Sequence, residues 1–442
     1  MRMLAIGLAG VLAALAFPGQ LTSDQAHLAR TGVIAPSCQV RVPEVAGPFP
    51  SLLDTELPDG TLVLGGSYTR GHDLVAVLHA VLPDCQAAQG FGLHGRSTVT
   101  LAVASPSAKI DVIEATGDGE VLLGGGAGAD VIVGRLLPDG HLDPSFGTSG
   151  LSRLPSPARP AKGTSSGTAV GSLALGPSGT VYVGGNDGAA HCCVEDFVGA
   201  LSPSGRLERS FGHGGWAMVP ALDGSYDTEV FTEDGGLLVM GFVMYTGCGG
   251  PVLVRLGPGG KPDEAFAAAA RQSIAAASPR YDLLGPALYP RRDGGFALVG
   301  DLLASDCQLP APKTAGGGLA VGFLADGRTD HSFGTDGKTE LPSDGSSGTW
   351  AVPLLGGTAA IVTERVAEGP TYDVPRSLKV RELSSTGRFD RAFGLSGTRT
   401  IGLSWASAPN SYPAVDATAG LDGSAVIVVA AKQRADIYRV AP

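Results

Sequence analysis

Few side chains in this sequence are grouped in a way that could do chemistry. His191, Cys192 and Cys193 place an imidazole beside two thiols. A structural zinc site draws on ligand pairs two to four residues apart, with a second such pair elsewhere. Neither spacing is present, so no metal is expected there. An acidic residue recurs three positions before a phenylalanine, as Asp143, Glu208, Asp263, Asp330 and Asp390. A calcium loop concentrates several oxygen ligands at close intervals. One carboxylate per unit does not, and these residues are expected instead to accept backbone N–H bonds in turns. His72, His79, His94, His141, His213 and His331 lie singly among turns and strand ends, without the positioned partner that acid–base catalysis requires. No serine-hydrolase elbow with a fitting His and Asp, no Walker loop and no zincin helix occurs. The Gly124–Gly126 run follows a strand and opens no helix, so it is a strand end and not a phosphate cradle. No catalytic residue and no cofactor is assigned from the sequence.

The elements that would position any site are unusually regular. One anchor is a hairpin: an apolar strand, a tight turn with Gly, and a strand closing on a Gly pair. It reads LPDGTLVLGG from Leu57, TGDGEVLLGGG from Thr116, LGPSGTVYVGG from Leu175, TEDGGLLVMG from Thr232, RRDGGFALVG from Arg291, a blunted PLLGGTAAIVT from Pro353 and GLDGSAVIVVA from Gly420. Asp-Gly between apolar runs marks a hairpin because both residues tolerate the positive φ of a type I′ turn. The second anchor is LLPDGHLDPSFGTSG at Leu136–Gly150 and its relatives, with Phe at 91, 146, 211, 266, 333 and 393, about sixty residues apart. A fixed period with length variation confined to loops is the sign of a repeat architecture. Four strands per unit are expected; in the second unit they would be Ser97–Ala104, Lys109–Ala115, Glu120–Gly125 and Ala129–Leu137. Seven such units predict an all-β, seven-bladed β-propeller of four-stranded antiparallel blades over residues 51–442. The last apolar run, expected to be the fourth strand of the seventh unit, ends at Val440 with no linking motif after it, as ring closure requires.

Composition agrees. Gly (67) and Pro (31) are abundant but sit at turns between apolar runs, an all-β pattern rather than disorder. The net charge of −11 with no Lys/Arg cluster argues against nucleic acid or an anionic membrane as partner. Arg2, the apolar run Leu4–Phe17 and Ala14-Leu15-Ala16 read as a secretory signal over residues 1–16. Residues 17–50 then form a tether with an irregular strand near Cys38, and no later segment is apolar for long enough to be a membrane helix.

The motif L-x-x-x-G-x-x-D/E-x-x-F-G resembles the bacterial delta-60 repeat, an exported β-propeller-like family akin to NHL-type propellers. The resemblance covers Ser51–Pro442. It implies a secreted or surface-exposed propeller without an established activity, so it carries over no catalytic residue. Three departures bear on local turns: Cys85 in place of the turn Gly, Ala267 in place of the Gly after Phe266, and the lost Asp-Gly at Pro353–Gly357.

Within such a ring, Phe91, Phe146, Phe211, Phe266, Phe333 and Phe393 are expected to plug the seams between blades, with the motif linking one blade to the next. Export makes disulfides the default for Cys38, Cys85, Cys192, Cys193, Cys248 and Cys307. Cys192, Cys193, Cys248 and Cys307 fall in loops expected to join strands three and four of units three, four and five, which would let two bridges staple those blades. Cys38 with Cys85 is the remaining pair, and the connectivity of the other four stays open.

The Asp-Gly turns and the Phe-Gly links share one face and hold nearly constant length. The loops on the other face vary most at Pro155–Gly167, Ala267–Pro279, Leu302–Gly318 and Glu364–Ser377. Variable loops on a rigid scaffold are where recognition usually lives. A monomeric module binding a protein or glycan through that face is expected. The alternatives are a hydrolase or lyase with acids in the central channel, and a structural cell-surface module. Channel carboxyls with perturbed pKa values would favour the enzyme, an aromatic or apolar patch the binder.

Overall fold

The computed structural model describes residues 33–43 and 52–441 apart from short internal stretches, of which 158–166, 305–316 and 404–413 are the longest. Each Asp-Gly turn folds its flanking apolar runs into a hairpin, and the hairpins build seven antiparallel sheets arranged as a propeller. The innermost strands are Leu53–Glu56, Lys109–Ala115, Gly167–Leu175, Ser225–Glu233, Tyr281–Pro290, Ser346–Pro353 and Ala414–Ala419, in blades 1 to 7. The next two strands of each blade follow in sequence order toward the rim.

The blades are offset by one strand from the expected units. The stretch expected to open unit two forms the outermost strand of blade 1, Arg96–Leu101, and blade 2 ends on Leu151–Pro155. The Phe-Gly motif therefore joins the third and outermost strands of one blade rather than two blades. The C-terminus is shifted likewise: Arg434–Val440 is the third strand of blade 7, and the fourth is supplied by Cys38–Arg41, paired antiparallel to it. Just before that strand, Val33–Ile34 lies parallel along the outermost strand of blade 6, Arg399–Gly402. The segment expected to be a tether thus contributes to two blades.

Blade 4 also departs from the expected pattern. Its sheet has three strands, and the fourth place is taken by α1, Glu264–Ala277. Ala-rich sequence with high helix propensity follows an Asp263 N-cap whose carboxylate accepts the Phe266 N–H at 3.0 Å. Ala267, which replaces the motif Gly, lies inside this helix.

The motif phenylalanines fill the seams as expected. Among the described residues the apolar core falls into seven clusters, one between each pair of neighbouring blades. Six of them contain the Phe of the preceding blade's motif, none more than 3% exposed. The rings of blades 1 to 5 each meet the turn glycine of the next copy of the motif. A methyl on Gly140 would come within 3.1 Å of Phe91, and one on Gly205 within 2.9 Å of Phe146. These glycines hold φ of +79° and +77°, so both the backbone and the neighbouring ring require glycine. The N–H after the Phe also bonds to that next turn, as in Gly147 to Ser204 O at 2.8 Å and Gly334 to Thr386 O at 2.8 Å.

Blade 7 has no motif Phe, and its seam with blade 1 is closed differently. Cys85 occupies the turn position of Gly140 and Gly205, with φ +73°, and is disulfide-bonded to Cys38 on the outermost strand of blade 7. The expected outer pair is thereby present, in the place where the other seams hold a Phe–Gly contact. Arg439 adds an ion pair to Glu56 at 2.6 Å and a bond to Gly60 O at 2.8 Å. Replacing both cysteines with serine is expected to cost about 2–4 kcal/mol, the usual contribution of one bridge. Denaturant unfolding with and without reductant checks this, and identical midpoints would show that the bridge adds nothing.

Candidate functional site in the central channel

The carboxylates of the Phe-Gly motifs are structural. Asp143, Asp330 and Asp390 accept backbone N–H bonds two residues on, at 2.9, 2.9 and 2.8 Å. Burial alone would raise Asp143, but the Ser145 hydroxyl and N–H and the Arg135 guanidinium hold it below the usual carboxylate range. The sequence reading missed the arginines. Arg135, Arg255, Arg291 and Arg399 lie over Phe146, Phe266, Phe333 and Phe393, with ring centroids 4.9, 4.3, 5.4 and 4.2 Å away. Each also donates to a carbonyl of the next blade: Pro203, Ala325, Ser385 and Ala441. Arg135 and Arg255 lie on third strands eleven residues before their Phe, whereas Arg291 and Arg399 come from a turn and an outermost strand, so no single sequence offset reveals all four.

The expected cysteine group lies largely outside the described residues. Cys193 and Cys248 open third strands of their blades. Their loops therefore join strands two and three, not three and four, although on the expected face. Cys192 and Cys307, and the pairing of all four, fall outside the described residues.

Chemistry concentrates instead on the innermost strands. Side-chain oxygens there stitch neighbouring blades together. Thr55 accepts the Ala115 N–H at 3.0 Å, Asp111 the Val170 N–H at 3.1 Å and Ser172 the Val230 N–H at 2.8 Å. The inner strands of blades 2 to 6 each carry a bulge or register shift, whereas those of blades 1 and 7 pair without one. These two strands are also the shortest, with 4 and 6 residues against 7 to 10 elsewhere.

Asp54 and Asp416 face each other across this exceptional sector. Strand alternation sends Leu53 into the blade 1–2 cluster, so Asp54 points toward blade 7. Val415 and Ala417 pack between blades 6 and 7, so Asp416 points toward blade 1. Both residues lie near the upper ends of their short strands, on the side of the variable loops. Asp416 has surface open to the channel, while both carboxyl oxygens of Asp54 are shut from water and have no donor among the described residues. Burial, reinforced by the charge of Asp416, holds Asp54 well above the ordinary carboxylate range. Burial raises Asp416 too, opposed by the Ala417 N–H and by its hydrogen bond with Asp54. Both carboxyls are thus held above the ordinary range, Asp54 the more strongly, as expected for two acids that share one sparsely solvated site.

Two further channel-strand acids are raised by burial. Glu114 is pushed up to about 7, and Asp111 is raised against the opposing pull of Lys109. Glu114 shares a strand face with Val112, which packs toward blade 3, so it points away from the Asp54–Asp416 pair. A separate groove of about 500 Å³ on the rim between blades 1 and 2, lined by Leu93, Arg96, Thr100 and His141, contains no facing acids.

Fold and site together define a seven-bladed propeller with an acidic pair where its ring closes. No family model matches the sequence, and no curated protein matches it. Among solved structures the chain is similar to the polysaccharide lyase Uly1, at 9% identity over 90% of each chain and a TM-score of 0.45. It is similar to prolyl oligopeptidase B from Galerina marginata, at 10% identity over 88% of this chain and 48% of that one, with a TM-score of 0.43. The alpha-L-arabinanase of Penicillium chrysogenum shares 11% identity over 92% of this chain and 96% of that one, with a TM-score of 0.39. Among the described residues no helix is long and apolar enough to cross a membrane.

Proposed function

We propose that this protein is an exported propeller of the delta-60 type that binds a hydroxyl-rich ligand, a glycan, at the variable-loop end of its channel. The observation behind this reading is the Asp54–Asp416 pair at the upper ends of the two shortest inner strands, where Asp416 is exposed to the channel and the buried oxygens of Asp54 lack a donor among the described residues. A buried acceptor without a donor is costly, and the hydroxyls of a sugar supply donors in the geometry that carboxylates prefer. The variable loops around this mouth would set which glycan is taken.

The test is a glycan array followed by calorimetry on the hits. The wild type should bind at least one class, and Asp416→Ala should weaken it roughly 10- to 100-fold, as expected for a lost hydrogen bond to a charged group. Unchanged affinity in Asp416→Ala, or an array without a hit, would refute the reading.

A further inference from the structure

The seam between blades 2 and 3 carries a polar row at its upper end, above the apolar cluster that fills the rest of it. Three strands of blade 3 run side by side there, with Thr168 opposite Asp187 and Asp187 opposite Glu195. Val170, Val183 and Phe197 on the same strands belong to the cluster facing blade 2, and alternation sends Thr168, Asp187 and Glu195 to that same side. Opposite residues of paired strands hold their Cβ atoms roughly 4.5–5.5 Å apart, so the three side chains form one group.

Thr168 and Asp187 are each only 3% exposed, and the Thr168 hydroxyl and both Asp187 carboxyl oxygens are closed off from water without a hydrogen-bond partner among the described residues. Three unmet oxygens in one row are costly. Like charges directly opposite each other across strands are destabilising as well, and Asp187 faces Glu195 in this way. Burial raises Asp187 above the ordinary carboxylate range, opposed by nearby Ser156 and reinforced by the charge of Glu195. Blade 2 holds the row in place: the Thr168 N–H donates to Gly128 O at 2.9 Å, and a methyl on Gly126 would fall 1.8 Å from Thr168 O. Gly126, in the glycine run of that strand, thus lets the inner strand of blade 3 pass directly against it.

A hard cation answers both the unmet oxygens and the facing charges. Among the described residues no three His, Cys, Asp or Glu side chains gather to hold a metal, so the row lacks the nitrogen and sulfur donors of a zinc or other soft-metal site. Oxygen donors with a low carboxylate count suit Ca²⁺, which tolerates irregular geometry and completes its shell with water, whereas Mg²⁺ demands a near-ideal octahedron. We propose that Thr168, Asp187 and Glu195 form a calcium site that pins the upper end of blade 3 beside blade 2, with Asp187 supplying both carboxyl oxygens, Thr168 its hydroxyl and Glu195 a carboxylate oxygen. The ion neutralises the facing carboxylates and gives each orphan oxygen a partner. Thr168 directly follows the variable loop Pro155–Gly167, so the ion also fixes where that loop returns to its blade.

The experiment strips the full chain with EDTA, titrates it with calcium chloride and separately with magnesium chloride in a calorimeter, and records thermal melts with and without saturating calcium. Calcium is expected to bind with a dissociation constant on the order of 0.1–1 mM, the weak end of the range for such sites, and to raise the melting temperature. Asp187→Asn and Thr168→Val should each weaken calcium binding roughly 10-fold or more, because ligand charge and number set the affinity. Thr168→Val leaves every charge in place and removes a hydroxyl that has no partner, so without calcium it should melt no lower than the wild type. It therefore decides the question if Asp187→Asn does not fold. A wild type that ignores calcium would mean that water alone meets the three oxygens, and would overturn the proposal. So would a calcium response that survives in Thr168→Val, which would put the ion elsewhere, or an equal response to magnesium.

Discussion

Phe146→Ala is expected to lower the stability of the protein by about 3–5 kcal/mol, the usual range for truncating a buried aromatic. The ring is completely buried between blades 2 and 3. Arg135 lies over it, and the turn of Gly205 in blade 3 closes against its edge. Truncation leaves a cavity that the two blades cannot fill without moving apart, because the Gly147 N–H to Ser204 bond and the Arg135 bond to Pro203 O at 2.9 Å hold their spacing. The same seam should be intolerant from its other side. Gly205→Ala would press a methyl against the Phe146 ring at a backbone φ of +77°. Equilibrium unfolding in urea measures both variants; a loss below about 1 kcal/mol for Phe146→Ala, well under the buried-aromatic range, would mean that the ring is not a seam wedge.

The second large effect is on the response to pH. Asp54, Asp416, Asp111 and Glu114 all have raised values in the folded state, so the native chain keeps protons that the unfolded chain gives up near pH 4. Their contribution to stability is present in full below the unfolded values and is lost as pH rises through the folded ones. For Glu114 that window runs from the ordinary carboxylate value of 4.5 to about 7. Stability should therefore fall between mildly acidic and neutral pH, by on the order of 2 kcal/mol for Glu114 once channel water is allowed for. Asp143, Asp330 and Asp422 are lowered and act oppositely, losing stability only as pH drops below their unfolded values. Unfolding free energies measured from pH 4 to 8 should decline, and Glu114→Gln and Asp54→Asn should each flatten the decline. A free energy that rises across this range would contradict the assignment.

The hairpins and seams were legible in the sequence because their causes are local. Asp-Gly turns need positive φ, and a buried Phe recurs at six of the seven places where a blade meets the next. The phase of the blades was hidden because a ring of repeats looks the same wherever counting begins. Outermost strands as short as Trp216–Met218 and Lys338–Glu340 leave no alternation to read. The helix of blade 4 left its trace in Ala267–Ala270, within a stretch that the repeat pattern marked as a variable loop. Asp54 and Asp416 could not be paired from sequence, since neither strand carries a motif that marks its acid and only closure of the ring sets them face to face. The arginines over the phenylalanines were invisible for a related reason: the ring dictates where the cation must be, while any of several strands can supply it.

The strand that completes blade 7 is among the first parts of the propeller to be made, and its partner is the last. Val40 pairs with Ala435, a closure spanning nearly the whole chain, which in a simple loop estimate costs about 5 kcal/mol of entropy. The bridge from Cys38 to Cys85 spans only 47 residues, so it can form while most blades are still unmade. Once oxidised, it parks the early strand against blade 1 as a ready template. The final strand then docks onto an edge already in place, and the timing of synthesis works in favour of the ring.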